Sequence, residues 1–280
     1  MAVFFDRLRM DRYVVIGNPV AHSLSPAIHA AFARQTGQAI EYARMQVEDG
    51  DFRVRVRAFF DGGGRGASVT LPFKGDAFEF ADAASERARL ARAANFLMLR
   101  GGGIFADNTD GAGLVADLTR NHGFELKGAQ VLIVGAGGAA RGVIGPMLAR
   151  APARVVVANR TLERAQVLAA SFGALGEIEA VALDSIPAAP VDLVLNATSA
   201  STLGASLSPP EGIFGRSTLA YDMAYGMPAR AFVEGARALG ARATDGLGML
   251  VEQAAEAFEL WRGIRPATQP VLEQLGTPRA

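Results

Sequence analysis

The apolar run Val131-Leu132-Ile133-Val134 passes straight into Gly135-Ala136-Gly137-Gly138-Ala139-Ala140-Arg141. A strand that ends on glycines and restarts as a helix leaves few folds open to the chain. Gly135, Gly137 and Ala140 fit the spacing G-x-G-x-x-[GA]. Glycines so placed make a tight turn and let backbone N–H groups approach a pyrophosphate at the positive end of the helix. Without context the same residues are an ordinary turn. The strand before them and the helix after them make Gly135, Ala136, Gly137, Gly138 and Ala139 candidate dinucleotide contacts.

The end of the next strand, Val155-Val156-Val157, tells which dinucleotide is expected. An NAD site usually carries Asp or Glu there to hold the ribose 2′-hydroxyl. This chain has Asn159-Arg160-Thr161, with Arg164 one turn into the following helix and no carboxylate before Glu163. Two guanidiniums suit a 2′-phosphate dianion, so the expected cofactor is NADP. Two solvated arginines beside a βα turn are the plainer alternative.

Around this unit the chain alternates short β-rich runs with helical stretches, the pattern of an α/β protein with mostly parallel sheets. Strands are expected at Tyr13–Ile16, Ala67–Leu71 (closed by Pro72), Val191–Leu195 and Leu219–Asp222. Ser25-Pro26 reads as an N-cap followed by proline at the first helical position. Phe52, Val56, Phe59 and Phe60 recur at helical spacing until Asp61-Gly62-Gly63-Gly64 stops them, and Ala81–Ala94 reads as a further helix. Gly101 to Gly103 is a turn, and Ile186 to Pro190 is a loop before a strand.

Composition narrows the chemistry. Lys plus Arg equals Asp plus Glu at 28 each, so the chain as a whole has no pull toward nucleic acid or an anionic membrane. Arg53, Arg55 and Arg57 read as a solvated helix face. There is no cysteine, which removes thiolate ligands and thiol nucleophiles. His22, His29 and His122 are too scattered for a histidine-rich metal centre, so no metal is expected. The opening MAVFFDRLRMDRYVVIG lacks a leader's apolar core, and Val131 to Ala140 is cut short by Arg141, at about half the length a membrane span needs. A cytoplasmic enzyme without a membrane segment is expected.

Hydride transfer at a carbonyl needs a proton donor or acceptor on the same oxygen. No histidine lies in a catalytic motif, and Lys74 stands after a strand with only Asp76 as a close charged neighbour. Alone, a lysine there is usually an exposed solubilising residue. Eight motifs in order, however, resemble the shikimate dehydrogenase family. They are Gly17-Asn18-Pro19-Val20-Ala21-His22-Ser23-Leu24-Ser25-Pro26, Ser68-Val69-Thr70-Leu71-Pro72-Phe73-Lys74, Asn108-Thr109-Asp110-Gly111, the Gly135 loop, Asn159-Arg160-Thr161, Asn196-Ala197-Thr198-Ser199, Tyr221-Asp222-Met223-Ala224-Tyr225, and Asp245-Gly246-Leu247-Gly248-Met249-Leu250-Val251-Glu252-Gln253.

The resemblance implies NADP-dependent interconversion of 3-dehydroshikimate and shikimate, on the route to chorismate and the aromatic amino acids. It implies Lys74 and Asp110 as a catalytic acid–base pair and Ser23 and Ser25 as carboxylate ligands. Ser68, Thr70, Asn95, Tyr225 and Gln253 are implied at the substrate, and Ala197, Thr198, Gly246 and Met249 at the nicotinamide. Ser25 acting only as a helix cap, and Met249 acting only as core, are the structural alternatives. His22 reads as a loop-packing histidine. Two positions depart from the family pattern: Ser68 stands where Asn is usual, and Phe96 where Thr is usual. Ser68 reaches less far than Asn, and Phe96 has no hydroxyl to offer, so it is expected to pack beneath the site.

The implied architecture is α/β with two domains and a cleft between them. One is a discontinuous substrate domain, residues 1–107 and 247–280. The other is a Rossmann-type doubly wound NADP domain, residues 108–246. The chain is expected as a monomer or homodimer. A quinate or aminoshikimate dehydrogenase paralogue is the alternative within the enzyme class, and a non-catalytic sensor of NADP or the metabolite is the alternative outside it. Ser68 leaves the paralogue open, whereas a sensor has no need of Lys74 and Asp110.

Overall fold

A computed structural model describes residues 10–198 and 210–276. The first nine residues of the opening segment and Ser199 of the Asn196 motif lie outside them. The chain divides into two compact units, one running to Thr109 and resuming at Ala254, the other spanning Asp110–Gln253. The sequence reading put these junctions at 107/108 and 246/247.

The first unit opens with β1 (Asp11–Gly17), α1 (Ser25–Thr36), β2 (Ile40–Gln46), α2 (Phe52–Asp61) and β3 (Gly64–Val69). It continues with α3 (Lys74–Phe80), β4 (Ala83–Ala84), α4 (Glu86–Ala91), β5 (Phe96–Arg100) and β6 (Gly103–Asp107). The six strands form one sheet in the order β2-β1-β3-β5-β6-β4. β1 runs parallel to both neighbours, and β5 is antiparallel to β3 and β6.

Strand alternation sorts the sheet's side chains onto two faces. Val14, Ile16, Ala67, Val69 and Leu97 point into a core shared with Phe52, Val56 and Phe60 of α2 and Ala77 and Phe80 of α3. On the other face Tyr13 is paired with Tyr42 and Gly66, and Val15 with Arg44 and Ser68. Trp261 packs there: it lies 4.8 Å from the Tyr13 ring and 5.0 Å from that of Phe96. A side chain at Gly66 would sit 2.3 Å from the Trp261 indole nitrogen, so this strand position requires glycine.

Four local readings are corrected. The helix expected over Ala81–Ala94 is only α4: Ala81 is extended, the Ser85 hydroxyl accepts from Ala88 N–H at 3.1 Å to cap the helix, and Arg92 ends it at φ 48°. The strand expected to reach Leu71 stops at Val69, and that expected at Val191 begins at Leu193. Ser25 is not the N-cap of α1. Leu24 holds that position, and the Ser25 N–H donates to Ser23 Oγ at 3.3 Å.

The second unit holds α5 (Asp110–Ala116) and a π-helical turn at Asp117–Asn121, then β7 (Gln130–Val134), α6 (Gly138–Leu148), β8 (Arg154–Asn159), α7 (Leu162–Phe172) and β9 (Ile178–Ala182). β10 (Leu193–Asn196), β11 (Leu219–Asp222), α8 (Arg230–Ala238) and β12 (Arg242–Thr244) complete its sheet. All six strands are parallel, in the order β12-β11-β10-β7-β8-β9. The order reverses between β7 and β10, the doubly wound arrangement whose switch point opens a crevice at the carboxyl ends of the strands. The apolar run that constrained the fold is β7, the strand at that switch point. α9 (Leu247–Arg262) carries the chain back into the first unit, and α10 (Gln269–Gly276) follows. Among the described residues no helix is long and apolar enough to cross a membrane.

Candidate active site

At the switch point, Gly135 has φ 109°, where side chains are disfavoured, and a Cβ on it would lie 2.9 Å from the Ala197 carbonyl oxygen. The turn after β7 and the turn after β10 therefore touch through a position that only glycine fills. Gly137 is the N-cap of α6 and makes no side-chain cap, and added carbons at Gly137 and Gly138 would meet nothing within 4 Å. Backbone N–H groups at a helix start, beside open space, fit a pyrophosphate. Ala136 and Ala139 flank them; Ala139 is half-buried.

The residues expected at the 2′-phosphate follow β8. Asn159 closes the strand and donates from Nδ2 to the Thr161 carbonyl at 2.8 Å, which shapes the turn into α7. Arg160 and Arg164 are exposed on that turn and in the first turn of α7. The residues present thus fit a phosphorylated dinucleotide.

The turns nearest β10 and β11 are held by a pair that the sequence reading placed in motifs without a role. The Asn196 amide donates to the Asp222 carboxylate at 2.8 Å, while Asn196 Oδ1 accepts from the Thr198 backbone N–H at 3.1 Å and its hydroxyl at 2.8 Å. Asp222 Oδ1 takes the Ala224 N–H at 2.8 Å. Ala197, Thr198 and the segment leading to half-buried Tyr225 are so fixed together. Gly246 follows: its N–H donates to Ala224 O at 2.8 Å, and a Cβ there would fall 2.4 Å from Met223 O.

Met249 is buried, and its N–H donates to the Tyr221 hydroxyl at 3.3 Å. That hydroxyl in turn donates to Asp117 at 2.6 Å. Burial, reinforced by the Asp117 charge, pushes the Tyr221 pKa far up. Asp110 is buried at the first position of α5, and Gln253 lies on α9 in the same unit. A side chain on Gly113, one turn beyond Asp110, would sit 2.5 Å from Gln253 Cβ, so the two helices touch there.

In the first unit, the loops after β1 and β3 are pinned to each other: Asn18 N–H donates to Leu71 O at 3.0 Å, and Thr70 N–H to Ile16 O at 2.8 Å. Half-buried Lys74 begins α3, and its carbonyl accepts from Ala94 N–H at 2.8 Å. Next to Ala94, buried Asn95 accepts the Thr109 N–H at 2.7 Å and donates to the Thr109 hydroxyl at 2.9 Å. The Asn95 amide is thereby engaged with the segment leading to Asp110.

Ser23 and Ser25 lie 3.2 Å apart through their hydroxyls. Ser68 is half-buried and accepts from the Tyr42 hydroxyl at 2.8 Å. Burial pushes the Tyr42 pKa up against the opposing hydrogen bonds of Ser68 and Ser25. Tyr42 was missed because β2 was missed; the available signal was Gly37, which ends α1 at φ 65° three residues before the Ile40/Tyr42 alternation begins. Phe96 stacks on Trp261 and is wholly buried. His22 is exposed and not packed in its loop. The packed histidine is His29, whose ring stacks on Tyr42 at 4.2 Å. Among the described residues no group of three or more acidic, histidine or cysteine side chains could hold a metal ion.

The chain matches the shikimate dehydrogenase substrate binding domain over residues 15–97, the shikimate/quinate 5-dehydrogenase family over 117–206 and the shikimate 5′-dehydrogenase C-terminal domain over 246–275. It is 52% identical over 267 residues to shikimate dehydrogenase (NADP(+)) of Dechloromonas aromatica (strain RCB), covering 95% of this chain and 97% of that one. Among solved structures, the Ael1 enzyme from Pseudomonas putida matches with a TM-score of 0.89 at 44% identity, over 96% of this chain and 99% of that one. Shikimate 5-dehydrogenase from Thermus thermophilus, in complex with shikimate, matches with a TM-score of 0.83 at 34% identity, over 96% of this chain and all of that one (100%). With the nucleotide-binding sheet, the Gly135 turn and these matches taken together, the chain belongs to the shikimate dehydrogenase family of NADP-dependent oxidoreductases.

Proposed function

We propose that the protein interconverts 3-dehydroshikimate and shikimate, with Lys74 as the proton-transfer group and Asp110 as its partner. When bound, NADP(H) supplies or accepts the hydride. In reduction the Lys74 ammonium gives its proton to the oxygen that was the carbonyl, and in oxidation the neutral amine takes it back. Asp110 accepts a hydrogen bond from the reacting hydroxyl and favours the charged form of the lysine. Ser23 and Ser25 hold the substrate carboxylate, and Thr70, Asn95, Tyr225 and Gln253 orient the ring. Gly135 to Ala139, Asn159, Arg160, Thr161 and Arg164 bind the cofactor's phosphates, with Ala197, Thr198, Gly246 and Met249 at its nicotinamide end. In this reading the first unit is the substrate domain and the second the cofactor domain, and the protein works in the cytoplasm as a monomer or homodimer.

The observation that carries the reading is the pinning of two loops in the first unit. The loop with Ser23 and Ser25 and the loop leading to Lys74 leave adjacent parallel strands at the same end and are joined by the Asn18–Leu71 hydrogen bond of 3.0 Å. Anion ligands and a proton donor thus emerge side by side. The test is the initial rate of NADP+ reduction with shikimate, run beside quinate and NAD+. Saturable reduction favouring shikimate and NADP+ is expected; a faster rate with quinate or NAD+ overturns the substrate or cofactor assignment.

A further inference from the structure

Helix α9 carries Met249 and Gln253, assigned above to the nicotinamide and the substrate, four residues apart on one face. We propose that Tyr221 and Asp117 are positioning residues for hydride transfer, which fix the start of α9 against α5 through one buried hydroxyl. The proposal rests on the roles given above to Met249, Gln253 and Asp110.

The first N–H groups of a helix have no carbonyl behind them and need partners from outside. In α9 the Leu247 N–H donates to the Asp245 carboxylate at 3.1 Å, a local cap. The Met249 N–H instead donates at 3.3 Å to the Tyr221 hydroxyl, which comes from β11. Tyr221 is wholly buried, and its hydroxyl donates in turn to Asp117 at 2.6 Å. A hydroxyl whose proton is held by a carboxylate is polarised into a better acceptor for the next donor. Burial and the Asp117 charge both keep that proton on the phenol.

Asp117 is itself fixed. It is wholly buried and opens the π-helical turn after α5, where the His122 N–H donates to its carbonyl at 3.2 Å. The turn brings back the Asn121 amide, which donates to Asp117 Oδ1 at 2.7 Å, and His122, whose Nε2 lies 3.5 Å from Oδ2. Helix α9 passes directly over this carboxylate: a Cβ on Gly248 would collide with it. Gly113 against Gln253 is a second close approach, so α5 and α9 run antiparallel in contact. Asp110, Met249 and Gln253 therefore stand on two helices joined by the string from Asp117 through Tyr221 to the Met249 N–H. A slip of α9 along α5 changes the spacing of all three groups, and transfer between bound reactants is sensitive to such misplacement. Tyr221 and Asp117, with no exposed surface, act through those residues and not on the reactants.

The test uses the full chain with NADP+ and shikimate in single turnovers. Shikimate deuterated at the carbon that gives up the hydride marks the hydride step. Tyr221→Phe removes one oxygen and is expected to slow the isotope-sensitive phase about tenfold. The dissociation constants of NADP+ and shikimate should stay within about threefold of the parent's. Asp117→Asn keeps an oxygen for the Tyr221 proton, so it should slow the same phase less, by about threefold. It decides the matter if Tyr221→Phe does not fold. The double variant should lie within about twofold of Tyr221→Phe, because both changes cut one string. If the folded variants match the parent in the isotope-sensitive rate, whatever their urea midpoints, the pair is structural only and this proposal alone fails. Weaker NADP+ binding with an unchanged hydride rate overturns it as well. A parent that turns over no shikimate removes the substrate assignment and this proposal with it.

Discussion

Asn196 and Asp222 stand opposite each other on β10 and β11, both with no exposed surface, and the amide of one donates to the carboxylate of the other at 2.8 Å. The pair connects the turn after β10, which carries Ala197 and Thr198, with the turn after β11, which leads to Tyr225. Asp222→Asn turns an acceptor into a donor that faces the Asn196 amide and should destabilise the protein by about 1–3 kcal/mol. Asn196→Asp alone sets two buried carboxylates together. The double exchange restores one donor and one acceptor, since a carboxylate at the first position still accepts from Thr198 and an amide oxygen at the second still accepts from Ala224. Urea denaturation should show the double variant more stable than either single. Additive losses would show that the pair is not coupled.

Replacing Lys74 tests the chemistry directly. Lys74→Ala should slow shikimate oxidation by about 10²–10⁴-fold, the usual range for losing a general acid–base group. NADP+ affinity, read by titration of the free enzyme, should stay within about twofold, because Lys74 lies in the unit without the Gly135 turn. Turnover equal to the parent's would remove Lys74 from the mechanism.

The proposal gives cofactor choice to the exposed side chains Arg160 and Arg164, so its signature is selectivity and not stability. Arg160→Ala combined with Arg164→Ala should reduce kcat/KM for NADP+ at least tenfold, at about 1–2 kcal/mol for each charge-assisted hydrogen bond removed. The value for NAD+ should change little, and the melting temperature should hold. An unchanged ratio of the two constants would place the 2′-phosphate elsewhere.

The two groups of candidate residues, one in each unit, differ in how far the sequence exposes them. The Gly135 turn is legible because its chemistry is local: one strand, one turn and one helix in unbroken order supply its backbone donors. The β8 turn is legible for the same reason. The serine group is not. Ser23, Ser25, Tyr42 and Ser68 come from a loop, the helix it enters and two different strands, and only the pairing of β2 and β3 with β1 brings them together. β2 hid its periodicity because an edge strand keeps polar residues on both faces, so Glu41 on one face and Arg44 on the other blur the alternation of Ile40 and Tyr42. Ser25 misled for a different reason. Serine before proline is a good cap signal, but the helix begins one residue earlier than that signal places it, which leaves the Ser25 hydroxyl for Ser23 and Tyr42.

His29 makes the fold sensitive to acid. Burial alone pushes its pKa down from 6.5 to about 3, so it stays neutral in the folded chain where the unfolded chain would bind a proton. Between those two values the unfolded state holds more protons, and stability falls as pH falls. At pH 5 the loss from this residue should be about 2 kcal/mol relative to pH 7.5, rising toward about 4–5 kcal/mol near pH 3. His29→Phe keeps a flat ring against Tyr42 and has nothing to protonate. Denaturation midpoints measured from pH 7.5 to 5 should therefore fall in the parent and fall less in His29→Phe. The variant should also be no weaker at pH 7.5, because both ring nitrogens of His29 are buried without a partner and phenylalanine leaves none to satisfy. Parallel pH profiles for the two proteins would mean that the histidine is protonated in the fold and finds an acceptor there.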